Sequence, residues 1–248
     1  MFFSPASGLP GYKFVDKFGN NPVVGTDAYE EIWTYSEAYT YDASPITAAI
    51  SSSEDPDTFE YTISGLDADW NPQEVNVTLT GETKKVVSGY TWMRINRCWN
   101  NSGDVAIGNV YIYDTTEGTV TAGVPQTDSK VKAMVAVGEE QTLMSIWTMP
   151  DGCQGYVRFV DSSILGSVTN DRAIDLSLDV RKFGKVFRTK RHWGVSSDGS
   201  TGHIQDMSMT HGIGLIDERS DVRVRGKAFG GDVECSSNFH IEYWRKAS

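Results

Sequence analysis

Polar and apolar residues alternate with a period of two in short runs along most of the chain. Phe59, Tyr61 and Ile63 alternate with Glu60 and Thr62, and Val75, Val77 and Leu79 with Asn76, Thr78 and Thr80. Ile174, Leu176, Leu178 and Val180 alternate with Asp175, Ser177 and Asp179. Val222 and Val224 flank Arg223, and Phe239, Ile241 and Tyr243 flank His240 and Glu242. Successive strand side chains point to opposite faces, so each run predicts a strand with one buried face. Turn-forming clusters separate the runs, among them Asn100–Gly103, Asp151-Gly152 and Gly230–Asp232. Short strands punctuated this way predict an all-β protein of two antiparallel, jelly-roll-like β-sandwich units. Helical signal is confined to a turn or two over Thr26–Trp33; Leu143–Met149 reads as a buried strand ending at the turn Pro150–Gly152.

Three segments follow from the pattern. Residues 1–40 are rich in Gly, Pro, Asn and aromatics and read as an extended N-terminal arm. Residues 41–137 form a first β-sandwich unit and residues 138–248 a second. The arm crowds in Tyr12, Phe14, Phe18 and Trp33, which are favoured interface anchors. It either lies on a partner or packs back on its own sandwich.

Composition narrows the function classes. Lys and Arg number 22 against 33 Asp and Glu, a formal net charge of −11 over 248 residues. That balance disfavours nucleic acid as a partner, because phosphate neutralisation supplies most of such affinity. No apolar run approaches the ~20 residues of a membrane-spanning helix, and the chain's start does not read as a signal peptide. Cys98, Cys153 and Cys235 are widely spaced and odd in number, which points to no disulfide framework, no zinc site and a reducing site of synthesis.

Chemistry-bearing motifs are weak. Asp67, Asp69 and Asn71 open like a calcium loop, but Pro72 and Thr78 occupy positions where such a loop needs Gly and Glu, so a polar turn is the simpler reading. His203 and His211 would stand ~26 Å apart along one strand. Neither a nucleophile elbow nor a phosphate-binding glycine loop is present, and Cys153 stands in a turn without a partner motif. No cofactor and no catalytic residue is expected. The most basic stretch carries Arg181, Lys182, Lys185, Arg188, Lys190 and Arg191. It reads as an edge strand kept soluble by charge, or as a dock for an acidic protein surface, including another copy of this chain.

Several stretches resemble a family of virion structural proteins of tailed bacteriophages, marine phages especially. They are Gly11-Tyr12 with Lys17–Pro22, Glu31–Trp33, Ile63–Asn71, Val75–Gly81, Trp92–Arg97, Gly138 with Gln141–Pro150, and Phe183–Arg188. These are turns and strand cores, so the resemblance implies a fold and a place in a particle and brings no catalytic residues. It implies a non-enzymatic capsid decoration or head-fibre protein, anchored by its N-terminal region and located in the virion after assembly in the bacterial cytoplasm. Its partners would be the major capsid protein or other virion proteins and further copies of itself, with a trimer expected. A tail, neck or fibre component involved in host attachment is the alternative. A carbohydrate-binding sandwich using Trp70, Trp92, Trp99 or Trp147 is a third.

Overall fold

The fold is that of a computed structural model describing residues 11–165, 171–197 and 204–246, with only the backbone described over 204–213. Among the described residues every regular element is a strand apart from one 3-10 turn at Asp128–Lys130. The expected helical turn at 26–33 does not form. Its place is taken by a bend and a two-residue strand that pairs with a later one.

The strands run β1 (Tyr12–Val24), β2 (Glu30–Glu31), β3 (Ala48–Ser52), β4 (Glu60–Leu66), β5 (Pro72–Thr78), β6 (Lys85–Val86), β7 (Arg94–Asn100), β8 (Val110–Asp114), β9 (Val120–Thr121), β10 (Val124–Pro125) and β11 (Val131–Val135). They continue with β12 (Ile146–Thr148), β13 (Cys153–Leu165), β14 (Arg172–Lys182), β15 (Arg188–Ser197), β16 (Ile204–Ile216), β17 (Ser220–Phe229) and β18 (Val233–Arg245).

Sheets ordered β11-β8-β3-β6 and β5-β4-β7 share one apolar core, with Ile50, Tyr61, Ile63, Trp92, Ile112 and Tyr113 at its centre. Sheets ordered β1-β18-β13-β16 and β12-β17-β14-β15 share the other, which holds Val157, Val160, Leu176, Leu178, Val222, Val224, Phe239 and Ile241. The alternating residues of β14 and β17 lie on the inside as their pattern demands. Each fully buried side chain of this size contributes about 1.5–3 kcal/mol of transfer free energy.

The expected arm is corrected over its described part. Residues 12–24 are a full edge strand, β1, in continuous antiparallel register with β18 from Tyr12↔Trp244 to Asn21↔Cys235. β2 pairs with β17, and Val24 and Ile32 enter the second core. Trp33 is 1% exposed and belongs to the first core, so it is not a surface anchor. The physical reason is that an aromatic-rich segment left in water would forfeit the burial it gains as a strand. Gly19 permits the close approach: a Cβ there would stand 2.3 Å from Ser145 Oγ and 2.4 Å from the Ile32 carbonyl. From β1 the chain therefore leaves the second sandwich, crosses to build the first, and returns through residues 143–148.

Candidate functional site at the junction of the two sandwiches

The outer face of β14 and β17 carries the polar half of their alternation, and its centre is shielded from water. Asp179 and Asp221 are both fully buried. Asp221 accepts hydrogen bonds from Arg94 Nε at 2.8 Å, Arg181 Nε at 2.8 Å and Thr148 Oγ1 at 2.7 Å. Asp179 accepts from Thr189 Oγ1 at 2.8 Å and Arg225 at 2.7 Å, with Arg223 at 3.4 Å. Arg223 also donates to Glu31. Aromatic rings cover the guanidinium groups: Arg181 lies 4.3 Å from the Tyr41 ring centre, Arg223 3.7 Å from that of Phe187, and Arg94 5.2 Å from that of Trp70. Arg94 stands on β7 of the first sandwich and Asp221 on β17 of the second, so this lattice fastens one sandwich to the other. Removing one member would leave an uncompensated buried charge, at about 3–5 kcal/mol.

The outer face of the other sheet has the opposite character. Tyr12, Trp244 and Tyr156 form a row across β1, β18 and β13, with successive ring centres 5.5 Å apart. Phe14 stacks on His240 at 5.5 Å, and His240 pairs with Asp16 at 2.6 Å. Tyr12 is 43% and Phe18 41% exposed.

On β1 the alternation sends Lys13, Val15 and Lys17 to the side opposite these aromatics. There they meet β4, β5 and β7 across a groove of about 530 Å³, which Arg97, Trp99, Glu74 and Tyr243 also line. Lys17 is 3% exposed, and its Nζ donates to the Asn96 carbonyl. Among the described residues it forms no ion pair. Burial, and then the positive charge of Arg97, pull its ammonium down to about 7. Arg97 itself donates to Gln141 and lies 5.5 Å from the centre of the Trp99 ring.

The structure scatters the other residues singled out above. The basic ones flank the β14–β15 hairpin turn, and β15 is an edge strand. Arg181 belongs to the lattice, and Lys182 lies 3.7 Å from Asp217. Lys185, Arg188, Lys190 and Arg191 are exposed, with no ion pair among the described residues. Asp67 Oδ1 accepts the backbone N–H groups of Asp69 and Asn71, each at 2.8 Å, which makes the loop a self-satisfied turn. Trp70, Trp92 and Trp147 are buried, and Trp99 borders the groove together with the edge of Trp147. Burial raises the Cys98 thiol well above its ordinary range and Cys235 to about 12. His203 and the side chain of His211 lie outside the described residues.

Sequence reading missed Lys17, Arg94, Arg97, Asp179 and Asp221 as a junction. One signal was available: Arg223 and Arg225 share a sheet face with Asp179, at register positions Asp179↔Arg223 and Ser177↔Arg225.

No protein-family model matches this chain, and no curated protein sequence does. Among solved structures it is similar to a chain of the cowpea mosaic virus top component, naturally occurring empty particles, at 10% identity and a TM-score of 0.24, over 86% of this chain and 82% of that one. It is also similar to VP2 of the infectious bursal disease virus subviral particle, at 9% identity and a TM-score of 0.21, over 98% and 79%. Likeness at this level carries no assignment.

Proposed function

We propose that the chain is a non-enzymatic structural protein of a virus particle, in keeping with its sequence resemblance to virion proteins of tailed phages. The supporting observation is the aromatic row Tyr12–Trp244–Tyr156 on a sheet face, exposed at Tyr12 and half-buried at the other two, in a molecule whose Arg94–Asp221 pair fastens two sandwiches together. A partly exposed row of aromatics fits protein contact. A closed homo-oligomer, with a trimer as the working number, would repeat that contact around an axis. Within this reading the protein decorates or projects from the capsid, with the β1 face against the particle and the unpaired cations of β15 against acidic protein surface.

Imaging purified particles with this protein labelled tests the assignment. Labelling over the whole shell is the expected result. Labelling at a single vertex would move the protein to the tail or neck, and unlabelled particles would remove the virion role altogether.

A further inference from the structure

Lys13, Lys17 and Arg97 line one groove, and among the described residues none of them has a carboxylate partner. In a chain with eleven more acidic than basic side chains, three such cations on one cavity are not a consequence of composition. Lys17 and Arg97 stand near enough for Arg97's charge to act against the Lys17 ammonium. An anion placed between them would remove that repulsion and use the ammonium donors that the Asn96 carbonyl leaves free.

The rest of the lining narrows the anion. Val15, Leu66 and Trp99 offer apolar surface, and Ser64, Asn96 and Glu74 offer groups for hydroxyls. A volume of about 530 Å³ lies in the range of small-molecule sites. The walls are the inward face of β1 and strands of β5-β4-β7, and β4 is already paired on both sides. We propose that this groove is a binding site for an acidic saccharide, with the sugar carboxylate held by Lys17 and Arg97 and the ring against Trp99. The site stands apart from the assembly role, so particle labelling and ligand binding can succeed or fail separately.

The test is titration calorimetry on the full chain at pH 7 and low salt. The probes are a galacturonic acid trimer, a neutral galactose trimer, triglutamate and inorganic phosphate. The galacturonate trimer is expected to bind at least tenfold more tightly than each of the other three. Lys17→Met and Arg97→Gln are each expected to weaken it at least tenfold. Lys17→Met should unfold at no lower temperature than the native chain, which separates lost binding from lost fold; should it fail to fold, Arg97→Gln decides.

Repeating the titration at pH 8 in buffers of different ionisation heat should show net proton uptake, because a bound carboxylate favours the charged ammonium. The other titratable groups around Lys17 are Lys13, Asp16, Glu74, Arg97 and Tyr243, and Asp16 is already paired with His240. Equal binding of triglutamate or of phosphate would overturn the saccharide assignment. No binding of the trimer, or full binding by both variants, would overturn the site.

Discussion

The second sandwich has two outer faces, and they invert the usual arrangement. On β14 and β17 the outer face is charged and buried, with Asp179 and Asp221 fully enclosed among arginines and rings. On β1, β18 and β13 the outer face is aromatic and open, with Tyr12 and Phe18 more than a third exposed. The same period-two pattern made both. Alternation assigns a side chain to a face of its sheet, and it does not say what lies on that face. The charged face is covered from within the molecule, by β7, the 26–42 segment and the β14–β15 turn. The aromatic face has no such cover among the described residues.

The sharpest way to break this contrast is to remove the segment that serves both faces. β1 supplies the aromatics Tyr12, Phe14 and Phe18, while Tyr29 and Glu31 help close the charged face. Deleting residues 1–40 removes an edge strand, β2 and the buried Trp33. The expected outcome is insoluble or unfolded protein, read by far-ultraviolet circular dichroism and by recovery after expression. A soluble, cooperatively folding remnant would restore the picture of a detachable arm.

A smaller effect is expected from Asp221→Ala, which leaves Arg94 and Arg181 buried without their carboxylate. Chemical unfolding should show a loss of about 3–5 kcal/mol. Replacing Arg94 by Met in the same molecule should recover part of that loss, because one orphaned charge then disappears as well. A loss under about 1 kcal/mol would mean that water reaches the lattice and screens it.

Lys17 is the exception on the inward side of β1, a buried charge with no ion-pair partner among the described residues. Its folded value of about 7 lies below the ordinary 10.5, so between those values the unfolded chain binds more protons than the folded one. Stability from this group therefore rises as pH increases from about 7 to 10.5, and its cost is fully present below pH 7. Lys17→Met should stabilise the protein by a few kcal/mol at most at pH 6. The difference between variant and native should shrink steadily towards pH 10. A difference that does not change with pH would contradict the buried, unneutralised ammonium.

The smallest effect belongs to the open face. Tyr12→Ser with Phe18→Ser should change folding stability by less than about 1 kcal/mol, since both rings are substantially exposed. Their loss should nonetheless weaken self-association in sedimentation velocity.

Much of the strand content was legible because it depends on local pattern. Ile174 to Val180 fell on the inner side of β14, and the polar turn at Asp67–Asn71 closed the β4–β5 hairpin. β15, with its run of basic residues, is an edge strand. What escaped depends on distant partners. Tyr12–Val24 shows little alternation because β1 rests on the first sandwich with one side and exposes aromatics on the other, so neither side is uniformly polar or apolar. Arg94 and Asp221 are 127 residues apart, and nothing local to either marks it as half of a buried pair. The groove has the same origin, since Lys17 and Arg97 meet only after the chain has crossed between sandwiches.

The central claim is that the aromatic face meets protein in the assembled particle while the charged face stays closed within each molecule. Hydroxyl-radical footprinting of the free protein and of purified particles tests it directly. Tyr12, Phe18 and Trp244 should be oxidised in the free protein and protected in the particle, with Tyr41 and Phe187 unchanged between the two. Equal oxidation of Tyr12, Phe18 and Trp244 in both states would contradict the account.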